Sequence, residues 1–200
     1  RDAEGDIPQT TANGFLDIII TETDRMTHIV QDLLTLSRLD RGDAELVLSR
    51  FPFAEAIRSV VRSSALNAQQ RGHELTCGDL GHLPLIVGDR SRLEQVMMNV
   101  LGNAIKYTPD GGHIRVRAGC EEDTVWMEVS DDGIGIPEKD RERIFDRFFR
   151  VDKARSRESG GTGLGLSIAR EIVQRHQGTI AIAPHEGPGT TVRMVLPIGQ

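Results

Sequence analysis

The sequence predicts a two-layer α/β sandwich, a mixed sheet with helices on one face, preceded by one long helix. Three observations lead there. After residue 50, strand-like and helix-like runs alternate irregularly, as in mixed α/β layers. Several neighbouring strand runs are spaced for antiparallel hairpins. Before residue 44 a single heptad-spaced apolar stripe describes a helix that needs a partner.

Bulk properties narrow the classes further. Two hundred residues make one ordinary domain with a short appendage. Hydrophobic content of 38% with 27% charge fits a globular chain, and only 4% aromatics leaves aliphatic residues to build the core. A net charge of −6, with no basic stripe interleaved with aromatics, argues against a nucleic-acid partner. No apolar run approaches the about 18 residues of a membrane helix, and no signal peptide stands at the start. The chain opens on Arg1-Asp2-Ala3 without a Met, so a longer parent protein is expected. Cys77 and Cys120 show no metal-type spacing. Both fall in strand-like runs, which predicts buried free thiols in a reducing compartment.

The elements follow in order. Residues 1–12 are polar, contain Gly5 and Pro8, and read as a loop. From Gly14 to Asp40, Ile19, Met26 and Leu33 recur at heptad spacing, as do Ile29 and Leu36. Phe15, Val30 and Leu34 broaden the stripe, while a helix packed on its own globular domain stays open as the alternative. Arg38 to Asp43 reads as helix end and linker. Phe51-Pro52-Phe53 opens the globular part, with a helix over Ala54–Gln70 carrying Ile57, Val60, Val61, Ala65 and Leu66 on one side. Strands follow at Glu74–Cys77 and Leu83–Val87. Asp89 or Ser91 then caps a helix, and Ser91-Arg92-Leu93-Glu94 has capping-box form. That helix offers Leu93, Val96, Met97, Val100, Leu101 and Ala104 to the core. Thr108 to Gly112 is a turn. Ile114, Val116 and Ala118 alternate opposite Val125, Met127 and Val129, a hairpin turning at Glu121-Glu122-Asp123. Pro137 opens a short helix leading to Ile144-Phe145 and Phe148-Phe149. A helix from Leu164 to Gln177 stops at Gly178, and strands at 179–183 and 191–196 close the chain.

Three stretches carry chemistry. The strand Val125–Val129 runs into Asp131-Asp132-Gly133-Ile134-Gly135-Ile136. That places a carboxylate at a strand tip where two glycines let a ligand approach the backbone. An ionised carboxylate only accepts hydrogen bonds, so Asp131 suits the 6-amino group of adenine. Guanine would oppose it with an oxygen. Downstream, Gly161-Thr162-Gly163-Leu164-Gly165-Leu166 enters a helical pattern, and backbone N–H groups bared there make a phosphate seat. The run lacks the Lys of a P-loop, and Leu166 stands where a dinucleotide fingerprint needs Gly. Upstream, Asn99, Asn103 and Lys106 recur at spacings of four and three on the face opposite the core. Two amides and an ammonium on one stripe suit a metal–triphosphate, since Mg²⁺ takes oxygen ligands and few of them from protein. Residues 150–160 are charge-rich with little to bury, as in a loop that orders over a polyanion, and Arg150 is its candidate γ-phosphate contact.

Asn99-Val100-Leu101-Gly102-Asn103-Ala104-Ile105-Lys106-Tyr107, the Asp131 run and the Gly161 run, in this order, resemble the N, G1 and G2 boxes of sensor histidine kinases of two-component systems. Phe145-Asp146-Arg147-Phe148-Phe149-Arg150 resembles the F box. The resemblance covers nearly the whole chain. It implies the Bergerat (GHKL) ATP-binding fold over residues 44–200, preceded in 1–43 by the second helix of the dimerisation and histidine-phosphotransfer hairpin. It implies ATP and Mg²⁺ as cofactors, with Asn103 as metal ligand and Asn99 assisting directly or through water. Lys106 would neutralise phosphate and Tyr107 would flank the nucleotide. Gly133, Gly135, Ile136, Phe149, Arg150, Gly161, Thr162, Gly163, Leu164, Gly165 and Leu166 would complete the nucleotide site, the phenylalanines packing a lid hinge. The partners implied are a phosphoacceptor hairpin, a response-regulator receiver domain and a second protomer, in the cytoplasmic portion of a membrane-anchored bacterial sensor.

Two departures matter. The family's phosphoacceptor motif, like His-Glu-Leu-Arg-Thr-Pro, is absent; His73-Glu74-Leu75-Thr76 lacks its Arg and Pro and reads as a strand start. His28, His82, His113, His176 and His185 form no ligand cluster. In related gyrase-type ATPases, a water-activating Glu stands four residues before the metal Asn. Here that position is Asn99, and an amide cannot act as a general base. That favours transfer over hydrolysis. A slow ATPase, a serine-directed kinase and a binding-only pseudokinase stay open on sequence alone.

Overall fold

The computed structural model describes residues 9–40, 45–81, 83–151 and 162–199. Its first element is a 32-residue helix, α1 (Gln9–Asp40). It begins earlier than the expected loop over 1–12 allows; residues 1–8 and the linker residues 41–44 lie outside the described residues. Ile19, Met26 and Leu33 of the heptad stripe are 59%, 63% and 43% exposed, whereas Leu36 is buried in the core. The final turns alone dock on the domain, so most of the stripe lacks a partner among the described residues.

The main sheet holds β2 (Glu74–Cys77), β4 (His113–Glu121), β5 (Thr124–Asp131), β6 (Thr179–Ala183) and β7 (Thr190–Pro197) in the order β2-β4-β5-β7-β6. Only β2–β4 is parallel, which makes the sheet mixed as expected. The hairpin register sets Val116 opposite Val129 and Ala118 opposite Met127. Side chains alternate across a strand, so Ile114, Val116, Val125, Met127 and Val129 share the buried face with Met194 and Leu196. Helices α2 (Phe53–Gln70), α3 (Arg90–Tyr107) and α4 (Gly165–Arg175) cover that face, α3 between the other two. A small two-stranded sheet, β1 (Ser49–Pro52) with β3 (Leu85–Gly88), lies beside them.

Asp89, not Ser91, caps α3. Its Oδ1 accepts from Arg92 N at 3.1 Å and from the Ser91 hydroxyl at 2.7 Å, while Oδ2 accepts from Val47 N at 3.1 Å. The Ser91–Glu94 capping box therefore does not form, because the helix has already begun at Arg90. Burial pushes the Asp89 carboxyl up, but these hydrogen bonds outweigh it and hold it below the ordinary carboxylate range. Its contribution to stability is present above the unfolded pKa and lost as pH falls through the folded one. His176 fastens the other end of the layer. Its Nε2 accepts from Asp89 N at 2.9 Å and its Nδ1 donates to Ile172 O at 2.8 Å, a neutral tautomer joining α4 to the start of α3.

Other expectations need adjustment. Helix α4 ends two residues early, and Gln177 (φ +58°) rather than Gly178 takes the left-handed position, with Gly178 N donating to Val173 O at 2.9 Å. That is a Schellman ending with Gly one place further on. The helix expected after Pro137 becomes two 3-10 turns, Glu138–Asp140 and Arg143–Phe145, which bury Ile144 and Phe145 within a short segment. Both cysteines are free but exposed, not buried. Cys77 ends the edge strand β2, and Cys120 has inward parity but sits past the core beside the hairpin turn. His73 precedes β2 and is buried against Ile105 O at 2.9 Å, as a strand start requires. His82 lies outside the described residues.

Candidate nucleotide site

A cavity of about 580 Å³ opens between α3, the segment after β5, the Phe149–Val151 segment and the start of α4. Asn99, Asn103, Lys106 and Tyr107 line it from α3; Asp131, Gly135 and Ile136 from the end of β5; Phe149 and Arg150 from the F-box segment; and Thr162, Gly163, Gly165 and Leu166 from the Gly-rich run. Four stretches separated in sequence thus face one space. Val129, Ile144 and Val192 give it an apolar floor.

Asp131 ends β5 and is 9% exposed. Its Oδ1 accepts from Gly133 N at 3.0 Å. Burial pushes its carboxyl above the ordinary range, with the Gly133 and Thr190 N–H groups partly opposing. Gly133 does not line the cavity; a Cβ there would lie 2.6 Å from Tyr107 O and 2.7 Å from Asp131 Oδ1. Only glycine allows the turn that points this carboxylate.

On α3 the Asn99 Nδ2 donates to Gly165 O at 2.9 Å, tying α3 to the first residue of α4. The carbonyl partner fixes which end of the amide is nitrogen, so its oxygen is the atom left to accept or ligate. Among the described residues no hydrogen bond engages the Asn103 amide. Lys106 Nζ lies 5.1 Å from the Tyr107 ring centroid. Burial raises the Tyr107 phenol and the nearby Arg150 charge opposes that.

The lid side is cross-braced. Phe148 N donates to Gly163 O at 2.9 Å, and both residues have left-handed backbones (φ +61° and +73°). A Cβ on Gly163 would come within 3.0 Å of Phe148 backbone atoms. The expected packing role holds for Phe145, which is buried, and Phe149 lines the cavity under Arg143, whose guanidinium carbon lies 4.4 Å from its ring centroid. Phe148 instead projects its ring to solvent, 61% exposed. Leu164 is fully buried at the N-cap of α4, so its side chain belongs to the core and does not line the cavity. Gly161 and residues 152–160 of the charged loop lie outside the described residues.

Two contributors were not legible in the sequence. Arg71, just after α2, lines the cavity and caps the end of α3, its Nη1 donating to Ile105 O at 2.6 Å and Lys106 O at 2.9 Å. The only local signal was that Arg71-Gly72 marks a turn. Asp32 of α1 also reaches the cavity, its Oδ2 accepting from the Thr162 hydroxyl at 3.1 Å. Among the described residues no helix is long and apolar enough to cross a membrane.

Residues 88–200 match the family model for the histidine kinase-, DNA gyrase B- and HSP90-like ATPases. The sensor histidine kinase WalK of Bacillus subtilis (strain 168) is 41% identical over 186 residues, which are 92% of this chain and 30% of that protein. The chain therefore spans less than a third of that relative. The crystal structure of full-length ShkA in complex with AMPPNP superposes with a TM-score of 0.82 at 26% identity, covering 94% of this chain and 39% of that one. Histidine kinase ThkA in complex with the response regulator TrrA gives a TM-score of 0.79 at 27% identity, over 98% and 54% of the two chains. The chain belongs to the histidine kinase-, DNA gyrase B- and HSP90-like ATPase family, and it is similar to the catalytic ATP-binding part of sensor histidine kinases.

Proposed function

We propose that this chain binds Mg-ATP in the cavity beside α3 and donates its γ-phosphoryl group to a histidine on a phosphoacceptor helix that the sequence does not contain. The observation that carries the proposal is the convergence of Asp131, the Asn99–Asn103–Lys106 face and the Thr162–Leu166 run on one cavity. The AMPPNP in the ShkA structure supports the same occupant.

Each residue then has a task. Asp131 accepts a hydrogen bond from the adenine amino group, and Tyr107 flanks the base. The glycine-bared N–H groups before α4 take phosphate oxygens, with Lys106 and Arg150 adding positive charge. The Asn103 amide oxygen fits a hard divalent cation, with Asn99 Oδ1 beside it, and two neutral oxygens suffice where phosphates and water supply the rest. A Mg²⁺ ion held there would supply charge stabilisation to the phosphoryl group being transferred. Phosphoryl transfer asks mainly for positioning and charge stabilisation, which these groups provide. No general base stands at position 99, and the Asn99–Gly165 bond explains part of that choice: a Glu there would turn a carboxylate against the Gly165 carbonyl.

Residues 1–43 act as the second half of a dimerising, phosphate-accepting hairpin, and the exposed stripe of α1 supports a helical partner and a homodimer in the longer protein. The phosphoryl group then passes to an Asp of a receiver domain; the ThkA–TrrA complex supports that partner. The whole would form the cytoplasmic part of a membrane-anchored sensor. The test incubates the chain with γ-labelled ATP and a separate phosphoacceptor-hairpin protein. Acid-labile, alkali-stable label on the acceptor is expected. Steady phosphate release without labelling would instead indicate an ATPase, and nucleotide binding with neither would indicate a pseudokinase.

A further inference from the structure

The last turn of α3 carries Lys106 and Tyr107 to the cavity, and its carbonyls need partners that the helix itself cannot supply. Ala104 O accepts from Thr108 N at 3.1 Å and from the Thr108 hydroxyl at 2.7 Å. Ile105 O accepts from His73 Nε2 at 2.9 Å and from Arg71 Nη1 at 2.6 Å. Lys106 O accepts from the same Arg71 nitrogen at 2.9 Å. Tyr107 O accepts from Ile134 N at 3.3 Å, in the turn that follows Asp131. One guanidinium from the connection between α2 and β2 therefore grips the helix end that faces the nucleotide. Arg71 is itself aimed from its other side. Its Nε and Nη2 lie 2.9 and 2.8 Å from Asp110 Oδ1, and its carbonyl accepts from Gly111 N at 3.0 Å. The Asp110 side chain is 75% exposed and does not line the cavity.

We infer that Arg71, oriented by Asp110, is a positioning residue of the nucleotide site. It fixes the last turn of α3 so that Tyr107 and Lys106 meet the nucleotide and the Tyr107 carbonyl holds the turn beyond Asp131. This role rests on the ATP-site reading proposed above and adds to it the device that keeps the base end of the site together. A guanidinium suits the task because its planar fork serves two carbonyls and a carboxylate at once. Its charge also complements the negative end of the helix dipole. Without it the Ile105 and Lys106 carbonyls lose these charge-assisted bonds, which loosens the last turn. A loosened turn carries Tyr107 away from the base and slackens its hold on Ile134. Adenine recognition then suffers although Arg71 itself touches no part of the base.

The test labels the whole chain with 3-fluorotyrosine. Tyr107 is the only tyrosine, so a single fluorine resonance reports on the end of α3. Titrations with ATP and with adenosine are followed by that resonance for wild type, Arg71→Ala, Asp110→Ala and the double variant, each well below its melting temperature. Arg71→Ala is expected to shift the resonance of the free protein and to weaken both ligands about ten-fold. Asp110→Ala changes only a surface side chain, so it carries the test even where Arg71→Ala does not fold. It is expected to move the resonance in the same direction and to weaken both ligands about two- to five-fold. Once Arg71 is alanine it is expected to add nothing. An unmoved resonance with wild-type adenosine affinity in either single variant would overturn the inference. A loss confined to ATP would also overturn it, because Arg71 would then be a direct phosphate contact. So would an Asp110→Ala effect that survives in the double variant. Binding of neither ligand by wild type would remove the ATP-site reading and the positioning role together.

Discussion

Asp131→Asn is expected to weaken ATP binding about 100-fold while leaving the melting temperature at neutral pH at or above the wild-type value. A charge-assisted hydrogen bond contributes about 1.5–3 kcal/mol, and the substitution also leaves a mismatch. One Asp131 oxygen is committed to Gly133 N at 3.0 Å. An amide in its place must present its NH₂ either to that N–H or to the adenine amino group, and each orientation sets donor against donor. Stability moves the other way. Burial raises the Asp131 carboxyl above its ordinary value, so its ionisation costs folding free energy at neutral pH. That cost is absent below the unfolded pKa and appears as pH rises through the folded one. The wild-type deficit should therefore shrink on acidification. Over the same range wild-type ATP affinity should fall as the carboxylate is lost. Calorimetry and thermal melts of both proteins between neutral and acidic pH check the two signs. Near-wild-type ATP affinity in the variant would remove Asp131 from adenine recognition.

Asn103→Ala is expected to reduce Mg²⁺-dependent transfer to an added phosphoacceptor hairpin about 1000-fold, with the fold unchanged. Charge stabilisation by a well-held metal is worth several kcal/mol. Asn103 is half-buried with no hydrogen bond to another described residue, and alanine is the better helix former, so nothing structural is lost. Asn99→Ala is a less clean experiment because it also cuts the tie to Gly165 O. Circular dichroism and labelled-transfer rates measured side by side separate folding from chemistry. Unchanged transfer would take Asn103 out of the site.

The sandwich was legible because its signals are local. Alternating Val116, Ala118, Val125, Met127 and Val129 fix both the hairpin and its register, since slipping one residue would turn those side chains to solvent. The polar face of α3 and the carboxylate at the tip of β5 were legible for the same reason: each is a short-range pattern with a chemical consequence. What escaped depends on contacts far apart in sequence. Arg71 reaches carbonyls more than thirty residues away, and Asp32 meets Thr162 across most of the chain. Nothing in their neighbourhoods marks them. The cap of α3 stayed open between two good capping residues, and the hydrogen bond from Asp89 N to His176 Nε2 helps to decide for Asp89. Gln177 and Phe148 adopt left-handed backbones that their residue types do not announce. Cys77 and Cys120 have strand character, but burial depends on how far the helix layer extends over each strand end.

The claim beneath all of this is that one nucleotide touches three distant stretches at once. A crystal structure of the chain with Mg²⁺ and a non-hydrolysable ATP analogue tests it most directly. The adenine amino group is expected within hydrogen-bonding distance of Asp131, with the phosphates lying between Asn103 and the Thr162–Leu166 run. A nucleotide bound elsewhere, or one whose base turns away from Asp131, would contradict it.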